Sequence, residues 1–162
     1  MSQTTIIDDF TQILSELDGK LGSLSKLLLE EQVALSQQAS EDVENIAQQK
    51  IQLTQQIELA EQKRLTLCEQ LQIEPDKKAL QHWLKDKPAP LKKTIAKLWQ
   101  RIAYLGQKCA TQNQLNGILV NHQERHAREA LAVLRGAVAG QEQYSEKGAH
   151  DNKTSTHVIA KA

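Results

Sequence analysis

From Leu91 to Val138 the chain runs roughly 48 residues without a proline, in a helical apolar rhythm. A helix of that length spans ~70 Å at ~1.5 Å per residue. Its stripe is Leu91, Ile95, Leu98, Ile102, Leu105 and Cys109, then polar Gln112 and Asn116, then Leu119. Beyond it the stripe drifts to Val120, Ala127, Leu131, Leu134 and Val138. No other segment has matching length. An amphipathic helix that outruns its partners leaves apolar surface for something else to cover.

Two shorter segments precede it. Phe10, Leu14, Leu17, Leu21, Leu24, Leu28 and Leu35 alternate spacings of four and three, broken only by Glu31, and form a heptad seam. Thr5 with Asp8 suits the start of this helix. The second seam is Val43, Ile46, Lys50, Leu53, Ile57, Ala60, Arg64, Leu67 and Leu71. Counting by sevens from Leu35 reaches Asp42 rather than Val43, and this one-residue slip predicts a hairpin turn with Ser40 capping the second helix. Lys50 and Arg64 read as side chains snorkelling toward acidic neighbours. Pro75 ends the second helix. A short helix comes next, burying Leu80, Trp83 and Leu84, and Lys87-Pro88-Ala89-Pro90 is a stiff connector with Pro90 at the first helical position. Trp83 and Trp99 read as core anchors.

The fold class expected is all-α: an antiparallel three-helix bundle or coiled coil with one long C-terminal helix and a disordered tail. Residues 1–140 form one helical domain, with helices at about 5–37, 40–72, 76–86 and 91–139. Residues 141–162, small and polar, form a flexible tail. Aromatic residues are only 3% of the chain, so Leu, Ile, Val and Ala must build the core. A compact bundle uses about 31 residues of the third long helix, and its last ~15 residues, beyond Val120, would overhang.

Charge is unevenly spread. Up to Glu74 there are 5 basic and 13 acidic residues, and from Pro75 to Ala110 there are 9 basic and 2 acidic, although the whole chain is neutral. The bland reading is internal complementarity, a basic helix packed on an acidic hairpin. A nucleic-acid patch lacks interleaved aromatics and a binding motif. Cys68 and Cys109 fit buried free thiols, as in a reducing compartment. Neither a secretory leader nor a membrane span is evident, which points to the cytoplasm.

Chemistry is sparse. His122 and His126 stand four apart, but Gln123 occupies the place where a zincin needs glutamate, and no third ligand is evident. No nucleophile turn or phosphate loop exists. Catalytic residues, metal and cofactor are therefore all expected to be absent. Asn113, Asn116 and Gly117 are the unusual group. Polar seam residues fix register in coiled coils, and Gly117 suits either close helix packing or a bend.

In order and spacing these segments resemble the FlgN family of bacterial flagellar export chaperones, over about residues 8 to 148. Glu30, Ala34 and Leu35 precede the turn, and Lys50 and Leu53 come after it, in the family's spacing. Asn113, Gln114, Leu115, Asn116 and Gly117 resemble its N-x-x-N-G motif, succeeded by apolar Ile118 and Leu119. Tyr144-Ser145-Glu146-Lys147-Gly148 stands where the family has tyrosine-glycine, two residues, then glycine, with Ser145 departing from the pattern. The resemblance implies a cytoplasmic chaperone that binds the C-terminal helical regions of the hook-associated proteins of the hook–filament junction. It would keep them unassembled and deliver them to the flagellar type III export gate. It implies client binding by Asn113, Asn116, Gly117, Ile118, Leu119, Val120, Ala127, Leu131, Leu134 and Val138, and gate docking by Tyr144. The competing reading is a structural coiled-coil scaffold or homodimeric adaptor.

Overall fold

The computed structural model describes the backbone of residues 3–151 and side chains to residue 141. Its elements are helices α1 (Gln3–Ser36), α2 (Ser40–Gln70), α3 (Lys77–Leu84) and α4 (Ala89–Asp151), with no strand among the described residues. The chain divides into two units, Met1–Leu119 and Val120–Ala162.

Within the first unit the long helices run up, down, up. Lys20 bonds Gln56, and Glu31 bonds Lys50, so α2 is antiparallel to α1. Asp18 meets Arg101, the Leu21 carbonyl meets Cys109, and the Leu28 carbonyl meets Asn116, so α4 returns parallel to α1. The main core joins Phe10, Leu14 and Leu17 of α1, Ala60 and Cys68 of α2, Leu80 and Leu84 of α3, and Ile95 of α4. With so few aromatics, one ring contact stands out: Phe10 meets Trp83 edge-on at 6.2 Å. Trp99 is covered by the Arg64 guanidinium, 5.0 Å from the ring centre. Arg64 is itself buried and reaches an acidic neighbour as its place in the seam implies, pairing with Glu61 at 2.6 Å. A second cluster at the hairpin end draws only on α1 and α2, through Leu27, Ala34 and Ile46.

The turn between α1 and α2 is closed without glycine. Gln38 sits in the left-handed region at φ 56°, with its N–H on the Leu35 carbonyl and the Ala39 N–H on the Ala34 carbonyl. That is the Schellman arrangement, which usually recruits glycine. The end of α2 repeats it: Gln72 has φ 55°, and Gln72 and Ile73 donate to the Glu69 and Cys68 carbonyls. Ala39, not Ser40, takes the N-cap place of α2 and makes no side-chain cap bond. The chain spends its turn residues on the preceding helix's C-cap, which fixes where α2 begins. Thr5 likewise lies inside α1, which already begins by Gln3. Asp76 does cap α3, accepting from the Lys78 and Ala79 amides at 2.7 and 2.9 Å.

Helix α4 starts at Ala89, one residue before Pro90, where a missing N–H still costs nothing. It passes through Gly117, Gly136 and Gly140 to Asp151. Glycine weakens a helix by about 1 kcal/mol relative to alanine, and none of these three adopts the left-handed conformation that would end one. Of the tail expected from residue 141, the side chains from residue 142 are not described, and beyond residue 151 it lies outside the described residues.

Left-handed glutamine carries a steric cost that glycine does not. Gln38→Gly and Gln72→Gly should each raise unfolding free energy by ~0.5–1 kcal/mol in urea titrations. The two buried thiols give a second expectation. Loss of solvent pushes both Cys68 and Cys109 above the usual thiol pKa. Both should therefore resist iodoacetamide at mildly alkaline pH, where a free thiol is half-ionised, and react at the rate of unfolding.

Candidate functional site

The polar interruption of the α4 stripe is not a defect in packing. Asn116 is 3% exposed. Its Nδ2 donates to the Leu28 carbonyl and to Glu31 Oε2, both at 2.8 Å, and its Oδ1 accepts from Gln112 Nε2 at 3.0 Å. Glu31 is 6% exposed, and its other oxygen takes Lys50 Nζ at 2.6 Å. Lys50 also reaches Asn113 Oδ1 at 3.4 Å. Residues from α1, α2 and α4 thus close one network. No buried side-chain nitrogen or oxygen among the described residues lacks a partner.

A buried carboxylate is costly unless both oxygens are met by donors, and removing one partner of such a set is worse than never having it. The network therefore tolerates one register only. Of the residues the resemblance assigns to client binding, Asn116 has its side chain committed inside the bundle, and Asn113 leans on Lys50 at its edge. Glu31 had a sequence signal: it is the one break in the α1 seam, and Lys50 is the matching break in the α2 seam.

Gly117 is exposed, and a Cβ there would meet nothing within 4 Å. Close packing is thus not the reason for this glycine. Ile118 is 58% exposed and Leu119 is half-buried.

In the second unit every side chain of the expected stripe faces solvent: Val120, Ala127, Leu131, Leu134 and Val138. Leu131, Leu134 and Val138 are 54%, 62% and 55% exposed. Val133, outside that stripe, is 71% exposed. Glu124 interrupts the stripe and lies 3.7 Å from Arg128, a solvated pair of small worth. His122 and His126 meet edge to face at 4.3 Å, and His126 lies 3.7 Å from Glu129. No group of three metal-ligating residues occurs among the described residues. Tyr144 falls within the span of α4, with its side chain outside the described residues.

Complementarity between the basic stretch and the acidic hairpin is thin. Among the described residues, Arg101 with Asp18 at 2.9 Å is the one ion pair joining them. Lys77, Lys78, Lys85, Lys92, Lys93, Lys97 and Lys108 stay exposed.

The described residues thus form a helical bundle whose buried polar atoms are satisfied and whose longest helix carries an exposed apolar stripe. The family profile described as FlgN protein matches residues 1–152, and the chain belongs to the FlgN family. Neither a curated protein nor a solved structure matches it. The family suggests the role of a flagellar export chaperone. No helix among the described residues is long and apolar enough to cross a membrane.

Two substitutions separate the roles of the motif's residues. Asn116→Ala should lower stability by ~1–3 kcal/mol, because it strips a donor from buried Glu31 and from the Leu28 carbonyl. Gly117→Ala should raise it by up to about 1 kcal/mol, since the helix gains and the new methyl meets open space. Chemical denaturation monitored by circular dichroism reads both.

Proposed function

We propose that this chain is a cytoplasmic export chaperone for the hook-associated proteins of the hook–filament junction. It binds their C-terminal helical regions, prevents premature assembly and delivers them to the flagellar type III export gate. The observation that carries the reading is the open stripe of Leu131, Leu134 and Val138, in a chain of the FlgN family. A client helix laid along it would remove the apolar surface that both helices otherwise show to water. Each of the three side chains is about half covered already, so finishing the burial gives ~1 kcal/mol apiece. That is weak alone. The client must add contacts along Val120 and Ala127, and Ile118 and Leu119 extend the apolar surface on the N-terminal side.

Binding of this kind needs neither nucleotide nor metal, and being non-covalent it is reversible. Tyr144 lies six residues past Val138, and the family resemblance gives it the docking role at the gate. In this reading Asn113 and Asn116 act on the client only through the bundle that they hold in register.

Leu131→Asp and Leu134→Asp should each abolish co-purification of a hook-associated client while helicity and melting temperature stay near those of the parent. A comparable loss of folding would place the stripe in a core and sink the proposal. Tyr144→Ala should leave client binding intact and lower secretion. Unchanged secretion would remove the gate role from Tyr144.

A further inference from the structure

The first unit carries a second exposed stripe on α4, distinct from the seam that faces the bundle. At ~100° per residue, Lys93, Lys97, Tyr104, Lys108, Leu115 and Ile118 fall within about 80° of arc. All six are exposed, with Tyr104 at 64%, Leu115 at 48% and Ile118 at 58%. None of the three lysines has an ion-pair partner among the described residues.

Helix α2 carries the opposite chemistry. Glu44, Ile51, Glu58, Leu65 and Glu69 lie on its outer face within a similar arc. Ile51 is 59% exposed and Leu65 37%, and the three glutamates are exposed without an ion-pair partner among the described residues. Ile51 and Leu65 are separated by the same fourteen residues as Tyr104 and Ile118, a rise of ~21 Å in both helices. With the two helices antiparallel, Tyr104 against Leu65 and Ile118 against Ile51, Lys97 and Lys108 fall opposite Glu69 and Glu58, and Glu44 has no stripe lysine opposite it. Neither stripe is covered by the described residues of its own chain.

We propose that the α4 stripe of one copy packs against the α2 stripe of a second copy, with Tyr104 meeting Leu65 and Ile118 meeting Ile51. Lys97 and Lys108 then lie beside Glu69 and Glu58. The complementarity that charge segregation promises is met between molecules, where the single Arg101–Asp18 pair leaves it largely unmet within one. The contact is heterologous. It either closes by using both stripe pairs at once or extends as concentration rises. One helix-on-helix contact is small, so association is expected at ~10–100 μM, and it weakens as salt screens the rim. This inference shares only Ile118 with the client reading; its other residues all lie before it and outside the proposed client surface.

The test is light scattering with sedimentation velocity on the full chain, from about 5 to 300 μM at low salt. The weight-average mass should climb above the 18.2 kDa of one chain. The double variant Lys97→Glu/Lys108→Glu should weaken association about tenfold or more, and Glu58→Lys/Glu69→Lys should do the same. Mixing the two variants should restore association between them. Circular dichroism establishes that each remains folded, as expected for exposed side chains. A mass fixed at one chain across the range overturns the proposal. So does association that ignores both charge reversals, association not restored in the mixture, or association lost in Leu131→Asp.

Discussion

A carboxylate inside a helical bundle must be surrounded by donors, and the rest of this structure depends on how Glu31 is surrounded. Lys50 supplies the charge and Asn116 the second hydrogen bond, while Gln112 holds the asparagine's own oxygen. One residue from each long helix is essential to that arrangement. Sliding α4 by one position against α1 would replace Asn116 with a neighbour and leave Glu31 short of a donor. Hydrophobic seams alone are forgiving of such slips, because leucine packs against leucine in many registers. The polar layer removes that freedom, in the manner of a buried asparagine in a coiled coil.

The layer also marks where the interior changes character. On one side lies the four-helix core around Phe10, Leu14 and Ile95. On the other, the hairpin end is closed by α1 and α2 alone. Among the described residues the buried polar side chains stop at Asn116, and the apolar positions of α4 from Val120 to Val138 are exposed. Asn116, the buried residue of the N-x-x-N-G motif, thus stands at the end of the folded interior. Past that end lies the surface on which the proposed chaperone function rests.

Much of this was legible in the sequence. The three seams, the short helix burying Leu80 and Leu84, and the long C-terminal helix are dictated by periodicity and by three prolines. The one-residue slip between Leu35 and Val43 located the hairpin turn. The details of that turn were hidden, because Gln38 and Gln72 adopt a backbone conformation that composition assigns to glycine. Ser40 was a reasonable cap by residue type, but the Schellman bonds had already fixed Ala39 in that place. That Arg64 would meet an acidic neighbour was legible, but not that it would lie over Trp99. A seam arginine can turn outward or pair inside, and only the packing of Trp99 over it decides. The exposed stripes of α2 and α4 are visible as spacing once one knows which face is core. Without that, their leucines and isoleucines compete with the true seam.

The central claim is that residues 120–138 are the partner-holding surface and that the bundle before them is complete by itself. Hydrogen exchange read by mass spectrometry, with and without a peptide from the C-terminal helix of a hook-associated protein, tests it directly. Amides lacking tertiary packing open at little cost. Those of residues 120–138 should exchange early in the free chain and become protected on adding the peptide, while residues 10–110 stay as they were. Protection that appears on α1 and α2 instead, with residues 120–138 unchanged, would contradict the account.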